Sequence, residues 1–418
     1  MLGVLGHQVY RRLFTAQVVA LLGTGLLTVA LGLLAFDLAG ARAGAVLGTA
    51  LAIKMIAYVA VAPVVNAVVA RLPVKPVLVG ADVVRAAMAL CLPLITEVWQ
   101  IYLVVFVLQA ASATFTPAFQ SVIPAVLPRE RDYTSALSLS RLAHDLEALV
   151  SPALAAVALS VLGYHDLFLG TAAGFAASAA LVLSAALPAR AAGPGDQGSL
   201  WRRTTLGTRI FWGTPRLRSL LALDLAVAAP TALVLVNTVV YVREALGRPG
   251  TDLALALAAF GVGSMVVALC APAALDRFGN RAVMLTGAGA VPPVMLVTTL
   301  LSFRAGEDTG WWVLLGLWLL LGAATSAVLT PSARLLRDAS DEATRPYVFT
   351  AQFSLSHACF ILTYPVAGWV GASAGLGWSA AVLTLIAALG AGAAIASWPR
   401  CPPRTSVVGE DGAREHHV

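Results

Sequence analysis

Hydrophobic positions along this chain come in long unbroken runs, separated by short clusters of charge, glycine and proline. The runs are too long to be buried strands, and they do not alternate as barrel strands do. They predict helices that cross a membrane. Twelve spans are expected, over residues 13–36, 44–69, 76–96, 99–122, 134–162, 167–187, 217–242, 253–275, 282–302, 311–329, 348–372 and 378–398. Trp99, Trp311, Trp312, Trp378 and Trp398 fall at span ends, where amphipathic rings sit at the membrane–water boundary.

Composition strengthens this reading. Of the 418 residues, 59% are hydrophobic and 11% charged, against about 25% charged in soluble domains. Such a chain cannot cover itself with polar surface, so an all-α integral membrane protein is expected and an ordinary soluble domain is excluded. The net charge of +6 comes almost entirely from arginines in the short segments between spans. Topology explains it better than nucleic acid. With the N-terminus inside, the inner segments hold twenty Arg and Lys, and the outer loops hold Arg42, Arg243, Arg248 and Arg304. This predicts a multi-pass protein of a bacterial-type inner (cell) membrane, with both termini cytoplasmic. The basic N-terminus runs into an apolar stretch long enough to span, so the first helix is read as retained. Four widely spaced cysteines suggest no disulfide framework.

The longest interruption runs from Pro188 to Pro215. It joins a Gly/Pro-rich break to the basic, aromatic stretch WRRTTLGTRIFWGTPRLR, which suits the inner membrane surface. The expected organisation is a six-helix bundle over 1–187, a partly amphipathic cytoplasmic linker over 188–215, a second six-helix bundle over 216–398, and a cytoplasmic tail over 399–418. The halves repeat. Thr116-Pro117 matches Thr330-Pro331, Pro152 matches Pro365, His144 matches His357, and Arg71-x-x-x-Lys75 matches Arg277-x-x-x-Arg281, at offsets of 206 to 214 residues. Two parallel six-helix halves are the layout in which a transport path forms between the halves.

The densest chemistry lies in SLSRLAHDLEALVSP, from Ser138 to Pro152. Arg141, His144, Asp145 and Glu147 fall on one side of a helix, opposite Leu139, Leu142, Leu146 and Leu149. Inside a membrane, such a face points to a bundle interior or a water-filled path. Arg141 and Asp145 are spaced to pair, either as a fixed structural pair or as a gated one. Glu147 has His144 as its nearest polar neighbour and is a candidate proton carrier. His144, Glu147 and the symmetry-related His357 could together ligate Ni²⁺ or Co²⁺, or each histidine could simply hydrogen-bond a neighbouring helix. Lys54 is near mid-membrane, where an ammonium costs roughly 2.5–3.5 kcal/mol, so something is expected to hold it: it pairs with a carboxylate from a neighbouring helix, or it sits in the path as a charge displaced when a cation binds. Asp82 and Arg85 are read as a latch with Arg71 or Arg141. Asp224 has no partner on its own helix and is a C-half candidate for a proton or cation. Asn237 and Tyr241 could line the same path, or simply hydrogen-bond a neighbouring helix. Phe260-Gly261-Val262-Gly263 is read as a close helix contact, because no lysine follows it as in a phosphate loop.

These features resemble the major facilitator superfamily over essentially the whole length. LDRFGNR, Leu275 to Arg281, is similar to the family's loop signature, in which Asp276, Arg277 and Arg281 would close the cytoplasmic side. In the N-half equivalent, NAVVARLPVK, Ala70 stands where the family has its Asp and Asn66 where it has Gly, while Arg71 and Lys75 are kept. Ser151-Pro152 replaces the Gly-Pro of the family's antiporters. The stretch from FTPAFQ to SPAL resembles an efflux branch holding macrolide and siderophore exporters. GTGLLTVALGLLAFDLAG, GTALAIKMIAYVAVAPVV and ALCLPLITEVWQIYLVVFVLQ resemble the nickel-resistance permeases of that branch, which often end in histidine-rich tails; here His416 and His417 remain. The resemblance implies a proton-coupled exporter of nickel, and of cobalt as a second metal, or else of lipophilic drugs or siderophore-like molecules. It implies lipid, a small substrate and protons as partners, a monomer, no cofactor and no enzymatic activity.

Overall fold

Hydrocarbon offers no partner to a backbone amide, so an apolar run must close its hydrogen bonds within itself. The computed structural model describes residues 2–61, 72–127, 129–187, 200–303, 310–340 and 344–399, and among these the ordered elements are all helical. The N-half consists of α1 (Gln8–Ala39), α2 (Ala43–Ile56), α3 (Val74–Cys91), α4 (Val98–Val126), α5 (Glu130–Leu159) and α6 (Tyr164–Ser184). The short α7 (Leu200–Gly213) follows. The C-half consists of α8 (Pro215–Val240), α9 (Gly250–Ser302), α10 (Gly310–Leu329), the short α11 (Ser332–Asp338), α12 (Arg345–Pro365) and α13 (Leu376–Ser397). Wide π turns prolong α2 over Ala57–Val61, α8 over Tyr241–Ala245 and α12 over Val366–Val370.

Among the described residues, nine helical segments are long and apolar enough to cross a membrane. Two of them, Gln8–Ala60 and Gly250–Ser302, contain 53 residues each. At 1.5 Å per residue each is about 80 Å long, more than twice the ~30 Å hydrocarbon thickness, so each crosses twice. The first turns back at Gly40 (φ 53°), the second at Gly279 (φ 75°). These left-handed conformations are open to glycine and costly for other residues. The LDRFGNR segment therefore differs from the expected loop: helix continues up to Gly279 and resumes directly after it. α5 supplies the twelfth crossing. Its charged first half masks it from a hydropathy criterion, and only Val150–Leu159 reads as apolar. Exposed Val266, Leu269, Leu300 and Leu389 give the outer surface the apolar belt that lipid requires. Trp99, Trp312 and Trp378 are exposed as expected. Trp311 and Trp398 are instead buried in packing, and Arg248 stacks over Trp311 at 4.5 Å.

The cores define the shape. At the end of the bundle that carries the N-terminus, the α7 segment and the arginine-rich connections, each half has its own core. Tyr10, Leu78, Phe119, Ile123 and Leu139 pack together in the N-half. Phe211, Leu220, Met284, Leu335 and Val348 do so in the C-half. At the far end one core is shared: Leu33, Leu47 and Leu51 pack with Val239, Leu253, Trp318 and Tyr364. The halves meet there through α2 on α12, α5 on α9, and α1 and α2 on α8. Small residues allow this approach. A Cβ on Gly48 would stand 2.5 Å from the Tyr364 carbonyl oxygen, and Gly368 lies against the Gly44 carbonyl. Trp369 Nε1 donates to Thr49 Oγ1 across the seam at 3.0 Å. α7 belongs to the C-half: Gly207 abuts the Tyr347 carbonyl, and Phe211 is fully buried.

Candidate functional site

The two halves part company just below the shared core, and there α2, α5 and α12 bring polar groups together. Lys54 lies eleven residues after Ala43, the first residue of α2, about 16 Å along the helix axis. Its Nζ stands 5.9 Å from the centroid of the Tyr58 ring, one turn further on. Tyr58 is anchored from α4, donating its hydroxyl to Gln109 Oε1 at 3.3 Å. From the other half, α12 presents Phe353 and His357, whose rings stack at 4.1 Å. Tyr58 meets both edge-on, at 6.3 Å and 5.6 Å. His357 Nδ1 donates to the Phe353 carbonyl at 2.7 Å, which leaves Nε2 for other partners.

Glu147 approaches from α5. A Cβ on Gly25 of α1 would lie 2.6 Å from Glu147 Oε1 and would overlap Ser151. The bare glycine is thus what lets α5 carry Glu147 in. The charge of Lys54 acts on both Glu147 and His357. Yet among the described residues its ammonium makes no ion pair within 4.0 Å and donates no hydrogen bond. The site is therefore a cation, a nearby carboxylate and three aromatic or imidazole rings, assembled from both halves.

The other predicted residues fall elsewhere. The side chains of Arg141, His144 and Asp145, together with Arg71, His416 and His417, lie outside the described residues. Among the described residues no three His, Cys, Asp or Glu side chains gather to hold a metal. Asp82 and Arg85, read as a latch with Arg71 or Arg141, have their described partners within the N-half, Arg71 and Arg141 lying outside the described residues. Arg85 bonds Asp82 three residues back on α3, and Ser178 of α6 donates to Asp82 Oδ2 at 2.7 Å. The Arg85 guanidinium is sandwiched between Phe115 at 4.4 Å and Phe175 at 4.5 Å. Both residues are buried, so the pair is a fixed part of the N-half interior. Asn237 and Tyr241 do not line a path with Asp224. Asn237 is fully buried at the far end, donating to the Ala367 carbonyl and Ser379 Oγ. Tyr241 bonds Ser302 and meets Trp318 edge-on.

Asp224 does have a partner, on another helix. Gln352 Nε2 donates to its Oδ2 at 2.9 Å. Asp276 sits 3.7 Å from Arg334 on the exposed basic end, and Arg277 and Arg281 are exposed beside it. Gly263 and Gly322 form the expected close helix contact, each against a backbone carbonyl of the other helix. Tyr58, Phe353, Gln352 and Gly25 were not singled out from sequence. Two of them carried a legible signal: Tyr58 is four residues after Lys54, and Phe353 is four before His357, the spacing of one helical face.

Comparison with known proteins agrees with this architecture. The profile of the Major Facilitator Superfamily matches residues 13–247 and again 225–416. Macrolide efflux protein A of Streptococcus pyogenes is 30% identical over 121 residues, a match spanning 28% of this chain and 30% of the relative. A crystallised variant of the nucleoside transporter NupG superposes with a TM-score of 0.75 at 16% identity, covering 94% of this chain and all of that one. A bacterial homologue of the human lysosomal transporter Spinster, in an inward-facing, unoccupied conformation, gives 0.71 at 13% identity, covering 93% and 96%. The superfamily's members carry molecules across membranes and are not enzymes. With a twelve-crossing helical body and a profile that matches each half in turn, this chain belongs to the Major Facilitator Superfamily.

Proposed function

We propose that this protein is a secondary active exporter that moves small amphipathic organic molecules out of the cytoplasm in exchange for protons. The observation that carries the reading is the meeting of Lys54, Tyr58 and Glu147 with Phe353 and His357 from the opposite half. Ring faces there offer an apolar wall, and the charges fix orientation, which is the make-up of an organic-ligand site. The macrolide efflux relative supports the outward direction and an organic rather than a metal substrate. Placing the arginine-rich end in the cytoplasm, in a bacterial-type cell membrane, makes the separated cores the open side and the shared core the closed one. The protein then stands inward-open, with the path reaching the central site from the cytoplasm. Glu147 and Asp224 are the proton carriers of this reading, and a monomer suffices for the path.

Export of Ni²⁺ or Co²⁺ is the second reading. It is favoured by one observation: Glu147 and His357 both lie within electrostatic reach of Lys54, so two of the three expected ligands share a site. Against it, a fixed ammonium beside that site repels a divalent cation.

The test is uptake into inside-out vesicles carrying the protein, with and without a pH gradient. Erythromycin and a panel of amphipathic dyes are compared with radioactive nickel. Gradient-dependent uptake of the organic compounds that a protonophore abolishes supports the first reading. Nickel uptake alone selects the second. Uptake of neither class removes both.

A further inference from the structure

Lys54 presents a problem that the exporter reading leaves open. An ammonium halfway along a membrane-crossing helix is costly, and such groups normally sit paired. Lys54 is not paired among the described residues. Its Nζ is 5.9 Å from the Tyr58 centroid, it donates no hydrogen bond, and no carboxylate lies within 4.0 Å. Glu147 attracts it from further away. By contrast Arg85, one helix over, is fully enclosed between two phenyl rings and bonded to Asp82. The same half therefore contains one cation built to stay paired and one left with open valence.

The space around Lys54 is also specific. Tyr58 stands beside it, and Phe353 and His357 from the other half meet the Tyr58 ring edge-on, so ring faces and edges from both halves border this part of the path. An approaching cation would meet the ammonium's repulsion. A neutral molecule could lend the ammonium a carbonyl or hydroxyl oxygen but would leave its charge uncompensated. A molecule with a planar or hydrocarbon body and one negative group would satisfy both the rings and the ammonium.

We propose that the substrate is an amphipathic organic monoanion, such as an aromatic carboxylate, whose charged group is bound by Lys54 while its ring lies against Tyr58, Phe353 and His357. This rests on the exporter reading and names the chemical class within it. Glu147 offsets Lys54 at a distance when the site is empty, and the substrate carboxylate takes its place at the ammonium when the site is filled. Export of a monoanion in exchange for one proton moves two charges in the same electrical sense. The membrane potential, negative inside, then drives it together with the pH gradient.

The experiment uses the full chain reconstituted in proteoliposomes with its cytoplasmic face outward. Three probes share one ring system: coumarin-3-carboxylate, the neutral coumarin-3-carboxamide and the cationic 3-(aminomethyl)coumarin. The carboxylate is expected to enter at least tenfold faster than the other two, and faster still when a potassium diffusion potential makes the lumen positive. Lys54→Gln is expected to lose at least tenfold of that rate, whereas Lys54→Arg retains a third or more. Thermal melting of both variants checks folding. If Lys54→Gln does not fold, the charge preference of the unaltered protein and the Lys54→Arg rate decide alone. Equal or faster transport of the amide or the amine overturns the proposal while leaving the exporter reading standing, as does a folded Lys54→Gln protein with undiminished carboxylate flux. Transport of no organic probe of any charge, erythromycin included, overturns both.

Discussion

Gln352 donates from Nε2 to Asp224 Oδ2 at 2.9 Å, and this leaves Asp224 Oδ1 and Gln352 Oε1 both buried with no hydrogen-bond partner among the described residues. Two orphaned acceptors on a joined pair are what one missing proton would satisfy, since a protonated carboxyl can donate where a carboxylate cannot. Asn at position 224 mimics that protonated form permanently. Asp224→Asn is expected to fold as well as the parent, with stability equal or higher by about 1 kcal/mol. Export driven by a pH gradient should fall at least about tenfold, while exchange of substrate between equal pools continues. Paired melting and flux measurements in proteoliposomes check both halves of this expectation.

The Asp82–Arg85 pair should behave in the opposite way, as structure without transport chemistry. Arg85→Ala leaves Asp82 buried with Ser178 alone, and breaking such a pair costs about 3–5 kcal/mol. Replacing both partners, Asp82→Leu with Arg85→Met, removes the uncompensated charge and should recover most of that loss. Denaturation in detergent compares the single and double variants. A single variant as stable as the parent would show that Ser178 alone holds the carboxylate.

At the far end of the bundle, Gly48 has no room for a side chain: a Cβ meets the Tyr364 carbonyl oxygen at 2.5 Å and Gly368 Cα at 3.2 Å. Gly48→Leu is therefore expected to hold α2 away from α12. Transport should drop at least about tenfold. A cysteine placed at Leu51, in a variant otherwise free of cysteine, should react faster with a membrane-impermeant thiol reagent added from outside the cell. Unchanged labelling would place the closed seam elsewhere.

The 3.7 Å contact between Asp276 and Arg334 is exposed to solvent on both sides. Pairs of this kind contribute less than about 1 kcal/mol. Arg334→Gln should leave the melting temperature within a degree or two, and a larger fall would mean that the LDRFGNR turn relies on this contact.

Much of this was readable along the chain, because the bilayer makes hydropathy a direct record of helix number, and among the described residues eleven of the twelve crossings are plainly apolar. α5 was legible for the opposite reason: the charge in its first half set it apart from the lipid-facing runs, and Glu147 is drawn in beside Gly25 of α1. What sequence could not convey was pairing across helices. Asp82 looked as if it needed Arg71 or Arg141, yet Arg85 and Ser178 satisfy it. Asp224 looked partnerless because Gln352 is 128 positions away. Asn237 looked available and is spent on the Ala367 carbonyl and Ser379. Lys54 was recognised as anomalous from its position alone, but Phe353 and His357, whose rings meet its neighbour Tyr58, come from the far half of the chain. Apart from Arg85, three residues from Asp82 on its own helix, each of these is a long-range contact, and periodicity carries information only about a residue's own face.

The uneven distribution of cores has a consequence for how the polypeptide could be divided. Leu47, Leu51, Val239 and Tyr364 belong to one apolar mass made from both halves, whereas Tyr10, Leu78, Leu220 and Met284 pack within their own half. A chain cut in the segment before α7 and produced as two polypeptides would bring two partly finished folds to the bilayer. Each would carry an apolar face that lipid can wet but that only its counterpart can pack closely. The two pieces should find each other through that face, which makes the far end the place where this protein is assembled as well as closed.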